Sequence, residues 1–307
     1  MHKKIPVIFD TDPGIDDAVA LAMGLFSEEL DVKLITTTAG NVGIENVTNN
    51  TLKLLEFFGR TTPVAKGAAA PLKRKLEDAS WVHGPIGLGE YEFPAPKMQV
   101  IDKNSTEAIH DILKNSEEKV SIIVTGPLTN IATFILTYPK LKSKIEKVVF
   151  MGGSLNGLGN KTPYAEFNIG VDPEAADIVF KSGLNIVMCP MEMGHTAYFN
   201  KRDIARIKNT NYVGAMFEVL FRTYKDHHVK NGAATHDSCA LSYLIDPKLF
   251  KTKRSYVTVE IHDTVKTGIV ICDYTKKSRH IFNMTVCKRI NVIKFKKLFF
   301  KIMENIE

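Results

Sequence analysis

The residue types that could do chemistry are crowded near the start of the chain. Asp10, Asp12, Asp16 and Asp17 all fall within Ile5–Ala22, which reads IPVIFDTDPGIDDAVALA. Ile5, Val7, Ile8 and Phe9 form a short apolar run that suits a buried strand, with Asp10 at its end and Asp12 two residues on. Pro13-Gly14 forces a turn, and Asp16-Asp17 open a segment of helical apolar spacing (Ala18, Leu21, Ala22, Leu25). Four carboxylates therefore share one strand-to-helix turn. At about 4–6 Å each pair repels by roughly 1–4 kcal/mol, depending on the effective dielectric. A helix N-terminus offsets only about 0.3–1 kcal/mol per charge. The remainder calls for a cation or a trapped proton. Asp16 could instead be a plain N-cap with the other acids solvated, but that reading suits a lone Asp-Asp pair better than four acids after a buried strand. In open α/β sheets, ligands bind outside the carboxyl ends of the strands, which is where these acids lie.

Other strand ends carry polar groups of the same kind. Asn41 follows the run Val32–Thr38. Thr125-Gly126-Pro127 follows Val120–Thr125, and its turn exposes a backbone carbonyl. Asn160 and Tyr164-Ala165-Glu166-Phe167-Asn168 come after Met151-Gly152-Gly153. Far along the chain, His236-Asp237 opens a helix, where a simple capping role is the alternative. Carboxylates plus one carbonyl make a donor set for a hard cation such as Ca²⁺, which takes six to eight oxygens. No Cys/His cluster has zinc spacing.

The elements that must position these groups follow from periodicity. Strand candidates are Val32–Thr38, Val120–Thr125, Val148–Met151 and Ile186–Met188; Val120–Thr125 is near-continuously apolar, as strands buried on both faces are. Helical spacing marks Val47–Phe58, Ser105–Leu113, a segment ending at Tyr138, and Asp172–Lys181. Repeated strand, Gly-containing turn and helix predict an α/β fold with a mostly parallel central sheet and helices on both faces, a Rossmann-like core. Residues 59–103 are loop-rich and hold Trp81-Val82-His83-Gly84-Pro85; so long an irregular stretch is uncommon unless it has a function. Helices are expected at Lys201–Lys208, Tyr212–Val229, His236–Ile245 and Ile290–Glu304, and a small antiparallel edge from Ser255–Glu260, Gly268–Cys272 and His280–Val286. With no internal repeat or linker, residues 1–307 read as one domain.

Composition is that of an ordinary globular protein, 44% hydrophobic and 24% charged over 307 residues. The net charge of +6 is dispersed over separate lysine clusters without aromatic interleaving, which argues against a nucleic-acid groove. Cys189, Cys239, Cys272 and Cys287 are widely spaced and read as reduced core thiols. Neither a signal peptide nor an apolar run of about 20 residues is visible, so no membrane partner and a cytoplasmic location are expected.

The stretch Asp10–Ala18, DTDPGIDDA, closely resembles the N-terminal signature of the inosine-uridine-preferring nucleoside hydrolases, and the later motifs match in order over nearly the whole chain. The resemblance implies a calcium-dependent N-ribohydrolase that converts purine or pyrimidine ribonucleosides to free base and ribose. By the family pattern Asp12, Asp17, Asp237 and the Thr125 carbonyl resemble the calcium ligands, with Asp12 also the general base toward the attacking water and Asp10 a supporting carboxylate. Asp16, Asn41, Met151, Asn160, Glu166 and Asn168 look like the residues that grip the ribose and the water. His236 matches the histidine over the nucleobase and is the candidate leaving-group acid, with Tyr224 and His228 as lesser candidates. His83 matches a loop histidine near the leaving group. Ser238 stands where the family usually has proline, which bears on helix rigidity more than on chemistry. A homodimer or homotetramer is the family's usual state, and base preference is left to loops around His83 and residues 213–234. Two other readings remain open at this level: a calcium- or nucleoside-binding protein without catalysis, and a haloacid-dehalogenase-type phosphatase with Asp10 as nucleophile.

Overall fold

Apolar runs that alternate between two buried faces build one large sheet. The computed structural model describes residues 3–225, 229, 231–275 and 280–306. Its strands are β1 (Ile5–Thr11), β2 (Leu30–Thr37), β3 (Val64–Lys66), β4 (Val120–Val124), β5 (Ile145–Met151), β6 (Ile186–Cys189), the two-residue β7 (Phe199–Asn200) and β8 (Gly232–Ala233), β9 (Phe250–Val259), β10 (Val270–Asp273) and β11 (Met284–Ile290). Nine of them form one sheet in the order β10-β9-β11-β6-β5-β4-β1-β2-β3, and β7 pairs with β8 apart from it. Pairing is parallel from β3 through to β11 and antiparallel only at β11-β9 and β9-β10. The expected parallel core with an antiparallel edge is what forms.

Helices cover both faces. They are α1 (Ile15–Phe26), α2 (Ile44–Phe57), α3 (Ser80–His83), α4 (Ser105–Asn115), α5 (Thr129–Thr137), α6 (Phe167–Val171), α7 (Pro173–Phe180), α8 (Glu192–Thr196), α9 (Lys201–Lys208), α10 (Tyr212–Thr223), α11 (His236–Ile245) and α12 (Val292–Glu304). Val7, Phe9, Ile123, Val149 and Val187 point into one core with α1, α10, α11 and α12. Ile8, Ile122, Val124, Val148 and Met188 point into the other with α4, α5 and α7. The period of two along each strand divides these side chains between the cores. Strand order reverses between β1 and β4: the chain builds β2 and β3 on one side, then returns to lay β4, β5 and β6 on the other. That switch point is where a crevice opens at the carboxyl ends of the strands.

Several boundaries differ from the sequence reading. Helix α10 stops at Thr223, well short of Val229, and Tyr224 leaves it in extended backbone (φ −70°, ψ 117°) with its ring beside that of His83. A tertiary contact outweighs local helical spacing there, so Tyr224 is not on the helix. The antiparallel edge is longer and shifted. Strand β9 begins at Phe250 and runs through Lys251–Arg254, whose charged side chains are exposed and mask any alternation. Strand β11 continues to Ile290 through a bulge between Cys287 and Arg289. The loop-rich segment contains the short β3 and α3. Among the described residues, no helix is long and apolar enough to cross a membrane.

Candidate active site

Strand β1 delivers the first acids to the switch point. Its ladder partners at Asp10 are Thr36 on β2 and Val124 on β4, which sets the carboxylate in the middle of the sheet. The Asp10 Oδ1 accepts from the Thr36 hydroxyl and from Asn130 Nδ2 at 2.7 Å, while Oδ2 is buried without a partner. Burial, against those two hydrogen bonds, pushes the Asp10 carboxyl up to about 7. Asn130 in turn donates to Thr37 O and accepts from Ala68 N and Ser105 Oγ. One amide thereby ties α5 to β1, β2, the loop after β3 and the start of α4. A phospho-aspartate mechanism needs an accessible nucleophile, and Asp10 has no exposed surface and one oxygen fully engaged.

Asp12 and Asp17 lie just above it, also with no exposed surface. Asp12 Oδ2 accepts from Asn41 N at 2.7 Å, whereas Oδ1 is buried with no hydrogen-bond partner. The two turns flanking Asp12 come against it as bare backbone: a Cβ at Gly40 would lie 2.1 Å from Oδ2, and one at Gly126 2.6 Å from Oδ1. Burial and the charges of Asp17, Asp16 and Asp10 hold the Asp12 carboxyl well above its ordinary range. Asp17 Oδ1 accepts from the hydroxyls of Thr11 and Thr125, each at 2.7 Å. Its Oδ2 accepts from Gly14 N at 3.0 Å and Asn41 Nδ2 at 2.9 Å. The first turn of α1 is thus closed by its own acid.

Helix α11 brings the distant pair. Asp16, Asp17 and Asp237 each place a carboxylate oxygen within 4.8 Å of the others, all three buried. Burial, then the charges of Asp16, Asp17, Asp12 and Glu166, drive the Asp237 carboxyl well up. A buried acid cluster whose members raise one another's proton affinity, with an orphaned Asp12 oxygen beside it, fits a metal ion, and the all-oxygen donors fit a hard one. Asp16, assigned to the ribose by the family pattern, stands in ligating range here, while Asp12 is not within that trio.

Above the acids is a cavity of about 240 Å³ lined by Asp16, Asn41, His83, Thr125, Met151, Asn160, Glu166, Asn168, Tyr224, His236 and Asp237. Eleven residues singled out from the sequence therefore meet on one wall or another of a single space. His228 lies outside the described residues. Asn168 Nδ2 is held by Thr125 O at 2.7 Å, Met151 O at 3.1 Å and Met151 Sδ at 3.3 Å, which leaves its Oδ1 to the cavity. Glu166 accepts from Gly153 N, Asn168 N and Ile169 N and so caps α6; burial still raises its carboxyl. Asn160 Oδ1 accepts from Phe167 N at 2.8 Å.

The two histidines differ in protonation geometry. His83 Nδ1 accepts from Ile15 N at 3.1 Å, so its proton sits on Nε2. Burial first, and His236 next, push the His83 imidazole down to about 4 despite the Asp17 charge. It is neutral at neutral pH. His236 Nδ1 lies 3.1 Å from Met191 O, a group that only accepts, so Nδ1 carries the proton and Nε2 is the nitrogen that can exchange one. His195 meets the His236 ring edge-on at 4.9 Å. Gly194 makes this placement possible, since a Cβ there would lie 2.2 Å from His236 Nδ1. Trp81, Lys225 and Phe167 also line the cavity. Sequence reasoning gave no role to Asn130, Thr36, Glu192 or Gly194. Trp81 and Asn130 stood beside residues it did single out; Glu192 and Gly194, in the plain run Met191-Glu192-Met193-Gly194-His195, left no local signal.

Known proteins similar to this chain come from one family. A family model described as inosine-uridine preferring nucleoside hydrolase matches residues 7–297. A non-specific ribonucleoside hydrolase, RihC, of Salmonella paratyphi B is 41% identical over 296 residues, covering 96% of each chain. Among solved structures, a plant nucleoside hydrolase, PpNRh1, superposes with a TM-score of 0.93 at 29% identity, covering 98% of this chain and 99% of that one. A purine-preferring ribonucleoside hydrolase from Gardnerella vaginalis gives 0.91 at 28% identity, covering 98% of both.

Proposed function

Since the chain belongs to the inosine-uridine preferring nucleoside hydrolase family and hydrolyses ribonucleosides, we propose how its residues divide that work and which ion they hold. The observation that carries the reading is the meeting of Asp16, Asp17 and Asp237 at the acidic end of a cavity whose other walls present Asn168, Glu166, His83 and His236.

Asp12, Asp17, Asp237 and the Thr125 carbonyl are assigned to one Ca²⁺, with Asp16 close enough to join them or to take a ribose hydroxyl. The ion would neutralise the crowded carboxylates, acidify a water and hold the ribose diol. Asp12 is the general base: its Oδ1 is buried beside the site without a donor, and an oxygen in that state accepts a proton readily. The glycosidic bond breaks through a state with positive charge on the ribose ring. Carbonyl-type oxygen from Asn168 and the carboxylate of Glu166 face that charge; Glu166 is held by backbone groups, and Asn168 by two backbone carbonyls and Met151 Sδ. Asn41, Met151 and Asn160 complete the ribose end, with Asp10 supporting Asp12 from below.

The leaving base needs a proton. His83 is a poor source, because a ring that titrates near 4 has no second proton to give at neutral pH. His236 is the acid of choice, with its Nδ1 fixed on Met191 O so that the exchangeable proton belongs to Nε2. Tyr224, its ring tilted against that of His83 at 5.4 Å between ring centres, is placed to bound the base. Purine and pyrimidine ribonucleosides are both proposed as substrates, supported by the relative named as non-specific. The four free thiols support a reducing, cytoplasmic setting, and the homodimer or homotetramer rests on the family resemblance alone. Turnover of uridine and inosine after chelation, with Ca²⁺, Mg²⁺ or Mn²⁺ returned singly, tests the assignment. Recovery with Ca²⁺ is expected; full recovery with Mg²⁺ alone would contradict the choice of ion.

A further inference from the structure

No residue of helix α8 lines the cavity, yet Glu192 and the preceding Met191 are tied to segments that do. Glu192 Oε1 accepts from Ser154 Oγ at 2.9 Å, from Leu155 N at 2.8 Å and from Asn156 N at 3.3 Å. Among the described residues, every hydrogen bond from residues 154–156 to another element ends on this one oxygen. The preceding residue works in both directions: Met191 N donates to Gly153 O at 3.1 Å, and Met191 O holds His236 Nδ1. Gly153 N, in turn, donates to Glu166 Oε2. The loop that leaves β5 therefore passes from Gly153 under Glu192 and reaches Asn160 four residues after its last clamp.

We propose that Glu192 is a positioning residue of the active site, clamping the loop between β5 and α6 onto α8 so that Asn160 and Glu166 hold the ribose end of the cavity in register with His236. The inference rests on the reading of this cavity as the nucleoside site. Three donors converging on one carboxylate oxygen fix a loop that has no secondary structure of its own. Among the described residues, no Lys or Arg forms a salt bridge with Glu192. Its other oxygen, Oε2, is buried with no hydrogen-bond partner, and the Glu192 charge adds to what opposes ionisation of Tyr274 and Cys272. Acceptance at Oε1, rather than charge, is the property the clamp uses. Glutamine keeps that acceptor and alanine removes it.

The test compares Glu192→Ala, Glu192→Gln and Ser154→Ala with the wild type, in calcium, on uridine and inosine. Glu192→Ala is expected to raise KM about tenfold while kcat falls less than threefold, because it loosens Asn160 at the ribose end while Glu166 keeps its three backbone donors. Amide exchange at residues 155 and 156 should quicken at least tenfold. Glu192→Gln should lie within twofold of wild type in KM and restore slow exchange. Ser154→Ala, which deletes one donor of three, should raise KM about twofold and keeps the test open if the alanine variant fails to fold. An unchanged KM in Glu192→Ala or Ser154→Ala, or a glutamine variant as impaired as the alanine one, overturns the proposal. Wild-type protein that turned over neither nucleoside would instead overturn the reading of the cavity.

Discussion

Replacing Gly194 by alanine should disable the leaving-group acid without entering the cavity. The added Cβ would lie 2.2 Å from His236 Nδ1, 2.7 Å from its Cγ and 2.9 Å from its Cα. Rotating the imidazole relieves the first two contacts but not the third, which is backbone at the first residue of α11. The ring and its helix turn must both yield, and the 3.1 Å contact with Met191 O breaks. Loss of that hydrogen bond costs about 0.5–1.5 kcal/mol. Overpacking a filled site adds roughly 1–3 kcal/mol, so unfolding stability should fall by about 2–4 kcal/mol. The kinetic effect is larger and selective. General acid catalysis is worth about 10²–10⁴-fold, and an imidazole without its anchor loses most of it. Steady-state kcat/KM on inosine and uridine should fall at least 10²-fold, while p-nitrophenyl riboside, whose leaving group departs without a proton, stays within tenfold. Simple destabilisation would lower all three substrates together by removing active protein. A Gly194→Ala enzyme with near-normal nucleoside turnover, or an equal loss on all three substrates, would refute the role given to His236.

Three further outcomes follow from the same geometry. Asp237→Ala should abolish tight calcium binding and lower Tm only when calcium is present; calorimetric titration showing one calcium at wild-type affinity would place the ion elsewhere. A 2′-deoxynucleoside lacks one of the diol oxygens, so kcat/KM for deoxyuridine should drop by several orders of magnitude relative to uridine, each tenfold being about 1.4 kcal/mol; comparable rates would contradict the ribose assignment. His83 titrates near 4 when folded against an ordinary 6.5, so between those values only the unfolded chain takes the proton. Its contribution is full above pH 6.5 and is lost as pH falls toward 4, a span worth of order 3 kcal/mol. Urea unfolding should show wild type losing stability relative to His83→Gln over that window; parallel curves would refute the buried neutral ring.

Much of the candidate site was legible because polar groups at strand ends interrupt otherwise apolar patterns. Asp10 and Asp12 stand out after Val7-Ile8-Phe9, and His236-Asp237 after a loop, since the sheet's period of two and the helix's start fix where each must point. The parallel core was legible for the same reason: β4, apolar but for Ser121, reads as a strand buried on both faces. What was not legible depends on distant contacts. Tyr224 leaves α10 for a ring partner far away in sequence, and the charged run Lys251–Arg254 is a strand only because β11 pairs with it. Gly194 and Glu192 carry no local pattern at all; their importance comes from what lies 2–3 Å away across the fold.

The central claim is that water, activated at the acid cluster, attacks the ribose carbon and releases the base. Hydrolysis of uridine by the calcium-loaded enzyme in ¹⁸O-labelled water, with mass analysis of both products after a single turnover, addresses it directly. One labelled oxygen in ribose, none in uracil and equal amounts of the two products are expected, with no requirement for phosphate. Label in the base, or release of uracil only when phosphate is supplied, would contradict the account.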